Sequence, residues 1–406
     1  MQSTRVPICD AGQLARWRRP FVLLALMAFA MPMAFATWQA LLNNFVHDVA
    51  GFNGSDLGWL QSVREIPGFF AVGVILVVMF IHEQLLAVVS LMLLGVIVAV
   101  TAWFPSFYGL LMTTFLSSLG FHYYQTVKMS LELQWLDKAT APQMLGWLIS
   151  IGSGASLITY LVIMLAWKVL GWDFNTLYLM GGGVTFLIAV LCLVAYPRFD
   201  GAVIQHRHMV LRKRYWLYYL LQFMAGARRQ IFIVFAAFMM VERFGFEVYQ
   251  VTGLFLINFV ANIFLAPLIG GLVAKWGERN AMIFEYIGLI FLFLAYTGIY
   301  LFDWGVVLAA GLYVVDHLFF ALALAQKTYL QKIADPKDIG PTAAVAFTIN
   351  HIGAVFLPVF LGYVWIVSPA IVFEIATGIA VLSLALSLLI PRHPVRGHET
   401  IFTKQD

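Results

Sequence analysis

The sequence predicts an all-α polytopic membrane protein, with twelve transmembrane helices in two pseudo-symmetric six-helix halves. The first observation behind this fold class is composition: 62% of the 406 residues are hydrophobic and 11% are charged. Soluble proteins average ~25% charged residues, so a soluble enzyme and a soluble nucleic-acid-binding protein are both excluded. The second observation is that the apolar residues form continuous runs of about 20, the helical length that crosses a hydrocarbon core. Such continuous runs also exclude a β-barrel, whose strands alternate.

Twelve apolar segments follow one another, and their connecting loops are short except for one. The segments span residues 20–46, 57–80, 84–104, 107–130, 142–167, 176–196, 215–241, 248–273, 281–301, 304–328, 341–365 and 368–390. The long loop is polar and basic and divides the segments six and six. We therefore expect an N-terminal half over residues 1–196, a cytoplasmic central loop over 197–214, and a C-terminal half with a short cytoplasmic tail over 215–406.

Lysine and arginine predict the orientation, because the cytoplasmic loops of membrane proteins carry an excess of these residues. With the N-terminus in the cytoplasm, 17 of the 24 basic residues lie in cytoplasmic segments and 2 lie in exterior loops. The other 5 lie within the apolar segments or at their ends. We therefore expect both termini to be cytoplasmic, and the membrane to be the cytoplasmic (inner) membrane of a bacterium. The net charge of +4 follows from these basic loops and implies no nucleic-acid partner.

A faint internal repeat relates the two halves. Residues 135–142, after the fourth segment, resemble residues 333–341 after the tenth, at an offset of about half the chain. Two six-helix halves in parallel repeat are one of the known layouts of membrane transporters.

The loop between the eighth and ninth segments carries the best local motif, Gly-Gly-Leu-Val-Ala-Lys-Trp-Gly-Glu-Arg over residues 270–279. It is similar to the loop signature G-x-L-x-D-R/K-x-G-R-R/K of the major facilitator superfamily. The matching residues that we assign to a gating motif are Gly270, Lys275, Gly277 and Arg279, and Leu272 matches as well. Ala274 stands where the family has an acidic residue, and the loop between the second and third segments has lost the signature.

This resemblance, together with the six-and-six layout, implies a transporter that exposes a central site alternately to the two sides of the membrane. It also implies that the first, fourth, seventh and tenth segments line the central cavity. Those four segments carry several polar and ionisable residues in their interiors. Because a charge at the bilayer centre costs at least ~2.5–3.5 kcal/mol, such residues usually have a function.

The seventh segment gives the strongest signal, because Arg228 and Arg229 lie about fourteen residues from each of its ends. That distance is too long for an arginine to reach the membrane surface. Paired guanidinium groups suit the binding of a carboxylate or phosphate, so we expect Arg228, Arg229, Gln222 and Gln230 to bind substrate. The alternative is structural pairing of the arginines with Asp316, Glu65 or helix carbonyls. Adjacent residues point ~100° apart, so the two arginines need not face the same way.

Proton coupling is assigned to three residues. Asp316 and His317 lie near the centre of the tenth segment, where a carboxyl or imidazole group can change protonation as its surroundings change. The alternative for Asp316 is a static salt bridge with an arginine of the seventh segment. Glu65, beside Arg64 in the second segment, is the third candidate, with a local ion pair or an outer gate as its alternative.

The remaining candidates for substrate binding are polar or aromatic residues of the other cavity segments: Trp38, Gln39, His122, Tyr124 and Tyr313. Trp38 has a second interpretation, as an ordinary aromatic residue at the membrane interface.

No further chemistry is indicated. The sequence has no histidine or cysteine cluster with metal-ligand spacing, no Walker-type phosphate loop and no hydrolase motif, so we expect no metal, no cofactor and no enzyme activity. The tails are too short to suggest a sensor or an assembly partner, and we expect no obligate protein partner. The sequence therefore predicts a secondary active transporter of a small anionic or zwitterionic solute, driven by protons. The alternative is an efflux pump for amphipathic drugs or metabolites, in which the two arginines are structural.

Overall fold

In the computed structural model, the described part of the chain comprises residues 5–70, 74, 77, 80–136, 141–200, 211–335 and 338–403. Most of these residues are helical. The α-helices, numbered in chain order, are α1 Pro20–Asn44, α2 Gly54–Phe69, α3 Glu83–Val100, α4 Phe107–Trp135, α5 Ala141–Leu170, α6 Phe174–Ala195, α7 Trp216–Gln230, α8 Ala237–Glu242, α9 Val248–Trp276, α10 Glu278–Leu301, α11 Val306–Phe319, α12 Leu324–Ile333, α13 Ile339–Val367 and α14 Pro369–Leu388.

Each of the twelve predicted apolar segments overlaps a helix, and the seventh and tenth segments each contain two. Within the described residues, eight helical stretches are long and apolar enough to cross a membrane by length and composition, and two shorter apolar helices accompany them. The prediction of an all-α polytopic membrane protein is therefore confirmed, whereas the count of twelve crossings stays a prediction.

Three helical segments change their winding part-way along. A π-helix at Ile231–Ala236 joins α7 to α8, and a second one at Phe45–Val49 continues α1. A 3-10 turn at Phe320–Ala323 joins α11 to α12. Such changes of winding are uncommon in α-helices. Those that do occur are often found at functional sites and hinges. Two of the three lie in the segments that carry the candidate arginines and Asp316.

Backbone contacts divide the chain into two compact units. Unit 1 comprises Met1–Gly51, Ile66–His206 and Glu247–Gly253, and unit 2 comprises Phe52–Glu65, Arg207–Phe246 and Leu254–Asp406. Most of α2 therefore belongs to unit 2, and the first residues of α9 belong to unit 1. The predicted boundary at the central loop stays a prediction, and residues 201–210 of that loop lie outside the described residues.

Unit 1 is packed through close approaches between helix backbones. A Cβ atom on Gly182 of α6 would collide with the backbone nitrogen of Ala99 and the carbonyl oxygen of Gly95, both on α3. The Thr185 hydroxyl of α6 donates to the carbonyl oxygen of Ala30 on α1 at 2.8 Å. Glycine at such a contact lets two apolar helices approach until their backbones touch.

The two ends of the first six segments meet on one side of unit 1. Strand β1, Arg5–Pro7, pairs in parallel with strand β2, Arg198–Asp200. The Tyr196 hydroxyl donates to the carbonyl oxygen of Trp17 at 2.6 Å, and Arg18 Nε donates to that of Ala195 at 2.9 Å. The start of α1 and the end of α6 therefore lie at the same end of this unit, as an even number of crossings between them requires.

Unit 2 contains close approaches between helix backbones of the same kind. Gly226 of α7 lies so close to the Asn350 carbonyl oxygen of α13 that a Cβ atom would overlap it. The Asn350 side chain in turn donates to the carbonyl oxygen of Gln222 at 3.0 Å. This close contact fixes the face that α7 presents to α13, and it therefore orients the two arginines that follow Gly226.

Candidate functional site

Arg228 and Arg229 lie in the last turn of α7. Gln230 ends this helix, and the π-helix begins at the next residue. Their side chains point in different directions, as expected for adjacent helical residues. The Arg228 side chain is 5% exposed, whereas the Arg229 side chain is 29% exposed. The two arginines therefore belong to two separate groups of residues, both within unit 2.

The Arg228 cluster consists of Arg228, Glu285 and Asp316, which lie on α7, α10 and α11. The Nη2 atom of Arg228 lies 3.1 Å from Oε1 of Glu285. Arg228 also interacts electrostatically with Asp316, which is completely buried. Neither oxygen of Asp316 has a hydrogen-bond partner among the described residues. The guanidinium group also covers the ring of Phe320 at 4.4 Å, a cation–π contact.

The Arg229 cluster consists of Arg64, Glu65, Arg229 and His351. Oε1 of Glu65 accepts hydrogen bonds from Nε and Nη2 of Arg64 at 3.1 and 2.5 Å. Oε2 of Glu65 lies 3.3 Å from Arg229 Nη2 and 3.5 Å from His351 Nε2. A single carboxylate is therefore surrounded by two guanidinium groups and one imidazole ring.

These contacts decide between the interpretations of the two arginines only in part. Arg228 forms its ion pair with Glu285, an acid of the ninth segment that was not among the predicted site residues. Arg229 pairs with Glu65, and such structural pairing was the expected alternative to substrate binding. The salt bridge between an arginine and Asp316, which was one expected alternative, is not formed among the described residues. Asp316 interacts with Arg228 electrostatically, without an ion pair.

The two glutamines that were expected to bind substrate have different surroundings. The Nε2 atom of Gln222 donates to Oε1 of Gln326 at 2.8 Å, and Nε2 of Gln326 donates to the Tyr286 hydroxyl at 2.8 Å. Gln222 therefore belongs to a row of hydrogen bonds between α7, α12 and α10. Gln230 is completely buried, and its amide oxygen and nitrogen have no hydrogen-bond partner among the described residues.

Tyr313 and His317 both lie beside the π-helix of the seventh segment. The ring of Tyr313 stacks on Phe232 with centroids 4.9 Å apart, and the ring of His317 lies 5.9 Å from Phe232. His317 is also 6.2 Å from the ring of Phe320. Asp316 and His317 thus have different neighbours, and His317 has an aromatic environment.

Trp38, Gln39, His122 and Tyr124 all lie in unit 1. Trp38 is 5% exposed and Gln39 is partly exposed. His122 is nearly buried and makes an edge contact with Phe121 at 5.1 Å. Tyr124 is completely buried, and its hydroxyl has no hydrogen-bond partner among the described residues. Their role in substrate binding stays a prediction.

The residues of the gating motif lie at the junction of α9 and α10. Gly277 has a φ angle of +80° and precedes α10, a backbone conformation that favours glycine. Gly270 lies in α9, Lys275 is exposed, and Arg279 is partly exposed. Position 274 holds alanine instead of the acidic residue of the family signature. The nearby acid is Glu278, in the first turn of α10, which lies 2.8 Å from Lys332 Nζ.

A third group of charges lies outside the apolar segments of unit 2. Arg212 donates to the two carboxylate oxygens of Asp338 at 3.1 and 3.2 Å, and Arg214 donates to Asp335 at 2.5 Å. The hydrogen bond from Arg212 lowers the pKa of Asp338, and the same bond raises the pKa of Arg212. The end of the central loop and the loop before α13 are therefore tied together.

Sequence reasoning missed two members of the clusters. Glu285 is an acid within the apolar ninth segment, and this isolation is the signal that could have found it. His351 is an ionisable residue within the apolar eleventh segment, so the same signal applies to it. Within the described residues, no group of three or more histidine, cysteine, aspartate or glutamate side chains could hold a metal ion.

Comparison with known proteins gives a family match and several similar folds. Residues 24–358 match the family described as Major Facilitator Superfamily. No curated protein matches the sequence. A crystal structure of a variant of the nucleoside transporter NupG is similar, with a TM-score of 0.75 and 15% identity, over 91% of this chain and 99% of that chain.

Two further crystal structures are similar to a comparable degree. One is a bacterial homologue of the human lysosomal transporter Spinster, with a TM-score of 0.73 and 14% identity over 93% of this chain and 97% of that one. The other is a POT family transporter in complex with 5-aminolevulinic acid, with a TM-score of 0.72 and 11% identity over 94% of this chain and 98% of that one. At these identities the likeness concerns the fold alone.

Proposed function

The chain belongs to the major facilitator superfamily, and from this premise we propose that it is a proton-coupled secondary transporter of a small anionic or zwitterionic solute. The observation that carries the proposal is the state of Arg229. Its guanidinium group shares Glu65 with Arg64 and His351, and its Nε atom has no hydrogen-bond partner among the described residues. Arg229 therefore has one N–H donor that no described residue accepts from.

An arginine in this condition suits a carboxylate or phosphate ligand. A guanidinium group offers five N–H donors in a planar fork, and it binds such anions through two parallel hydrogen bonds. The Arg229 side chain is 29% exposed although its Nε atom is buried, so a ligand can reach other atoms of this side chain directly. Because Glu65 already receives two hydrogen bonds from Arg64, an incoming anion can take over Arg229 while Glu65 keeps a partner.

A zwitterionic solute fits the same cluster. Its anionic group would bind Arg229, and its cationic group would be attracted to the nearby Glu65 carboxylate. Arg228 has no part in this binding, because it is buried and paired with Glu285. We therefore expect Arg229, and not Arg228, to contact the substrate.

A second candidate is efflux of amphipathic drugs or metabolites, with both arginines structural. The burial of Arg228 and its pair with Glu285 favour this role for that residue. The two candidates differ in Arg229, since the efflux function does not need its guanidinium group to meet a ligand.

Thermal unfolding of the purified protein with a panel of solutes tests the proposal. The panel contains lactate, succinate and inorganic phosphate, with glucose and tetraphenylphosphonium as neutral and cationic probes. A ligand at 100 times its dissociation constant stabilises the folded state by ~2.7 kcal/mol, enough to raise the melting temperature measurably. We expect an anion to stabilise the wild type and the Arg243→Gln control, but not Arg229→Gln.

The control removes an arginine that lies outside the cluster and pairs with the exposed Asp303. Arg229→Lys keeps the charge without the planar fork, and we expect a reduced effect of the anion. Stabilisation by tetraphenylphosphonium or glucose that is equal in wild type and Arg229→Gln, without any effect of the anions, would replace this proposal by the efflux function.

A further inference from the structure

Three arginines and an exposed tryptophan directly precede α1 at one end of unit 1. They are Arg16, Trp17, Arg18 and Arg19, which we call the arginine segment. We propose that the arginine segment binds the headgroup of an anionic phospholipid, whose phosphate oxygens accept from the guanidinium groups. This lipid site belongs to unit 1, whereas the proposed substrate contact Arg229 belongs to unit 2, so the inference does not depend on the substrate.

The arginine segment lies at the ends of two helices that are suited to cross a membrane. α6 is long and apolar enough to do so, and α1 begins another such stretch. The Nε atom of Arg18 donates to the carbonyl oxygen of Ala195, the last residue of α6, at 2.9 Å. Val194, one residue earlier, is 69% exposed, so α6 presents apolar surface up to its final turn. The Arg18 side chain therefore lies where the hydrocarbon-facing surface ends, at the level of the lipid headgroups.

Trp17 is suited to the same level of the membrane. Its side chain is 57% exposed, and tryptophan is enriched at the membrane–water interface because its ring is apolar and its N–H group is polar. The Tyr196 hydroxyl donates to the carbonyl oxygen of Trp17 and fixes its backbone, and the guanidinium carbon of Arg18 lies 5.6 Å from the centre of the indole ring. An apolar surface for a lipid chain thus adjoins a cation for the phosphate group.

The three arginines have no carboxylate partner among the described residues. Arg18 donates to the carbonyl oxygen of Ala195, Arg19 donates to that of Gly12 at 3.0 Å, and Arg16 is exposed. A carbonyl oxygen occupies one of the five N–H donors of a guanidinium group and leaves its charge in place. The arginine segment therefore presents three positive charges, held in place by backbone contacts, with further donors for the oxygens of an anion.

Unit 2 differs at the corresponding place, before its first long helix. There Arg212 and Arg214 pair with Asp338 and Asp335, so the chain itself supplies the anions. In unit 1 the described residues supply none, and the anion that is present at headgroup depth is the phosphate group of a lipid. Free phosphate offers the same oxygen atoms, but it has no acyl chain to contact an exposed indole ring. The observations therefore favour a lipid over a soluble phosphate.

Binding of phosphatidylglycerol to the full chain in detergent micelles tests the proposal. Native mass spectrometry gives its dissociation constant, together with those of phosphatidylcholine and of glycerol 1-phosphate, which is the same phosphate without acyl chains. We expect phosphatidylglycerol to bind about tenfold or more tightly than phosphatidylcholine, because a surface arginine adds a factor of about five to the binding of an anionic lipid. Equal binding of the two lipids would overturn the proposal. Glycerol 1-phosphate that binds as tightly as phosphatidylglycerol would show a soluble phosphate site instead.

Single arginine variants locate the lipid. Arg16→Gln and Arg19→Gln should each weaken the binding of phosphatidylglycerol about fivefold and leave that of phosphatidylcholine unchanged. Arg392→Gln is the matched control, since Arg392 is also an exposed arginine close to the end of an apolar helix, but has no arginine or tryptophan within three residues. We expect this control to bind like the wild type. Equal losses in Arg16→Gln and Arg392→Gln would mean a general attraction of charge and no defined site.

Asp137 is the acid that the internal repeat aligns with Asp335, and it lies outside the described residues. Asp137→Asn therefore asks whether the chain has its own anion for the arginine segment. We expect the affinity for phosphatidylglycerol to stay within a factor of two of the wild type. An increase of about fivefold or more would show that Asp137 competes for the arginines, and it would contradict a site that is open to a lipid.

The contact with Trp17 is tested by fluorescence quenching. The excess quenching by phosphatidylglycerol with brominated acyl chains, over that by brominated phosphatidylcholine, is measured in the wild type and in Trp17→Phe. We expect most of the excess to disappear in Trp17→Phe and to persist in Trp103→Phe. Trp103 is the control because it is 54% exposed and lies in the 3-10 turn at the other end of α3. An undiminished excess in Trp17→Phe would show that the lipid binds elsewhere.

The lipid site and the proposed substrate site fail independently. Arg229→Gln should keep the affinity for phosphatidylglycerol while it loses the response to lactate, succinate or inorganic phosphate. Arg16→Gln should show the opposite pattern. A loss of phosphatidylglycerol binding in Arg229→Gln that equals the loss in Arg16→Gln would place the lipid in unit 2 and overturn the inference.

Discussion

The two units bury different kinds of polar side chain. Among the described residues, unit 1 buries hydroxyl, amide and imidazole groups but no aspartate, glutamate, lysine or arginine. Unit 2 buries eight such charged residues: Glu65, Arg228, Glu278, Glu285, Asp316, Asp335, Asp338 and Glu399.

The difference in polar chemistry goes with a difference in partners. In unit 1, Thr37 and Thr159 donate to carbonyl oxygens one turn earlier on their own helices, at 2.7 and 2.8 Å. In unit 2, Arg228 and Arg229 find their carboxylates on α10 and α2. A hydroxyl group on a helix can satisfy itself locally, whereas a buried charge needs a partner on another element. Unit 2 is thus the unit whose internal contacts a proton or an anion can change.

The largest expected effect comes from removing the buried cation of unit 2. Arg228→Met leaves Glu285 and Asp316 without a counter-charge, and breaking a buried ion pair costs about 3–5 kcal/mol of folding free energy. The loss should shrink in acid, because protonation neutralises the two carboxylates. Reversible denaturation in mixed micelles at two pH values measures both quantities.

Arg243→Met is the control for this variant. Its partner Asp303 is 94% exposed, and exposed pairs contribute ~1 kcal/mol or less. Equal losses in the two variants would show that burial does not distinguish the ion pairs of unit 2.

The next effect tests the packing of unit 1. Gly182→Ala places a Cβ atom against the backbone of α3, and overpacking of this kind costs about 1–3 kcal/mol. The adjacent Gly183 has no atom within 4 Å of the position that a Cβ would take. Gly183→Ala should therefore keep or raise the melting temperature, since alanine favours the helix. A matching drop in both variants would contradict the close contact of α3 with α6.

A smaller effect is expected from a hydroxyl group of unit 1. Thr185→Val removes the hydrogen bond to Ala30 while it keeps the side-chain volume, and a net hydrogen bond contributes about 1 kcal/mol. The same denaturation measurement should find a loss well below that of Arg228→Met. If the loss reaches that of the arginine variant, the contrast between the two interiors disappears.

The smallest effect concerns the charges outside the apolar segments of unit 2. Because Arg212 lowers the pKa of Asp338 in the folded state, this carboxylate contributes stability above its ordinary pKa, and the contribution is lost as the pH falls through the lowered value. Asp338→Asn should therefore lower the stability above the ordinary pKa of aspartate and flatten the acid side of the stability profile. An acid profile identical to that of the wild type would show that this pair does not contribute.

Several parts of the molecule could be predicted from the sequence because they depend on local pattern. The apolar runs predicted the helices, and the loop motif together with the six-and-six layout predicted the superfamily, which the family match confirms. Gly277 of that motif adopts a positive φ directly before α10. Arg228, Arg229, Asp316 and Glu65 were found as candidates because a charge within an apolar run is costly.

Other features could not be predicted, because they depend on which helices become neighbours. The sequence placed Glu285 and His351 about 57 and 122 residues after the arginines, and no spacing rule relates such positions. The interruptions at Ile231–Ala236 and Phe320–Ala323 also have no local signal such as proline.

The sequence by itself determined the helical membrane architecture, the superfamily and the residues whose charge must be compensated, because hydropathy and charge act through local composition. The tertiary structure decided the partners: Arg228 with Glu285, and Arg229 with Glu65, which also lies near His351. It did so because Coulomb energy depends on distance in space, which is set by helix packing and not by separation along the chain.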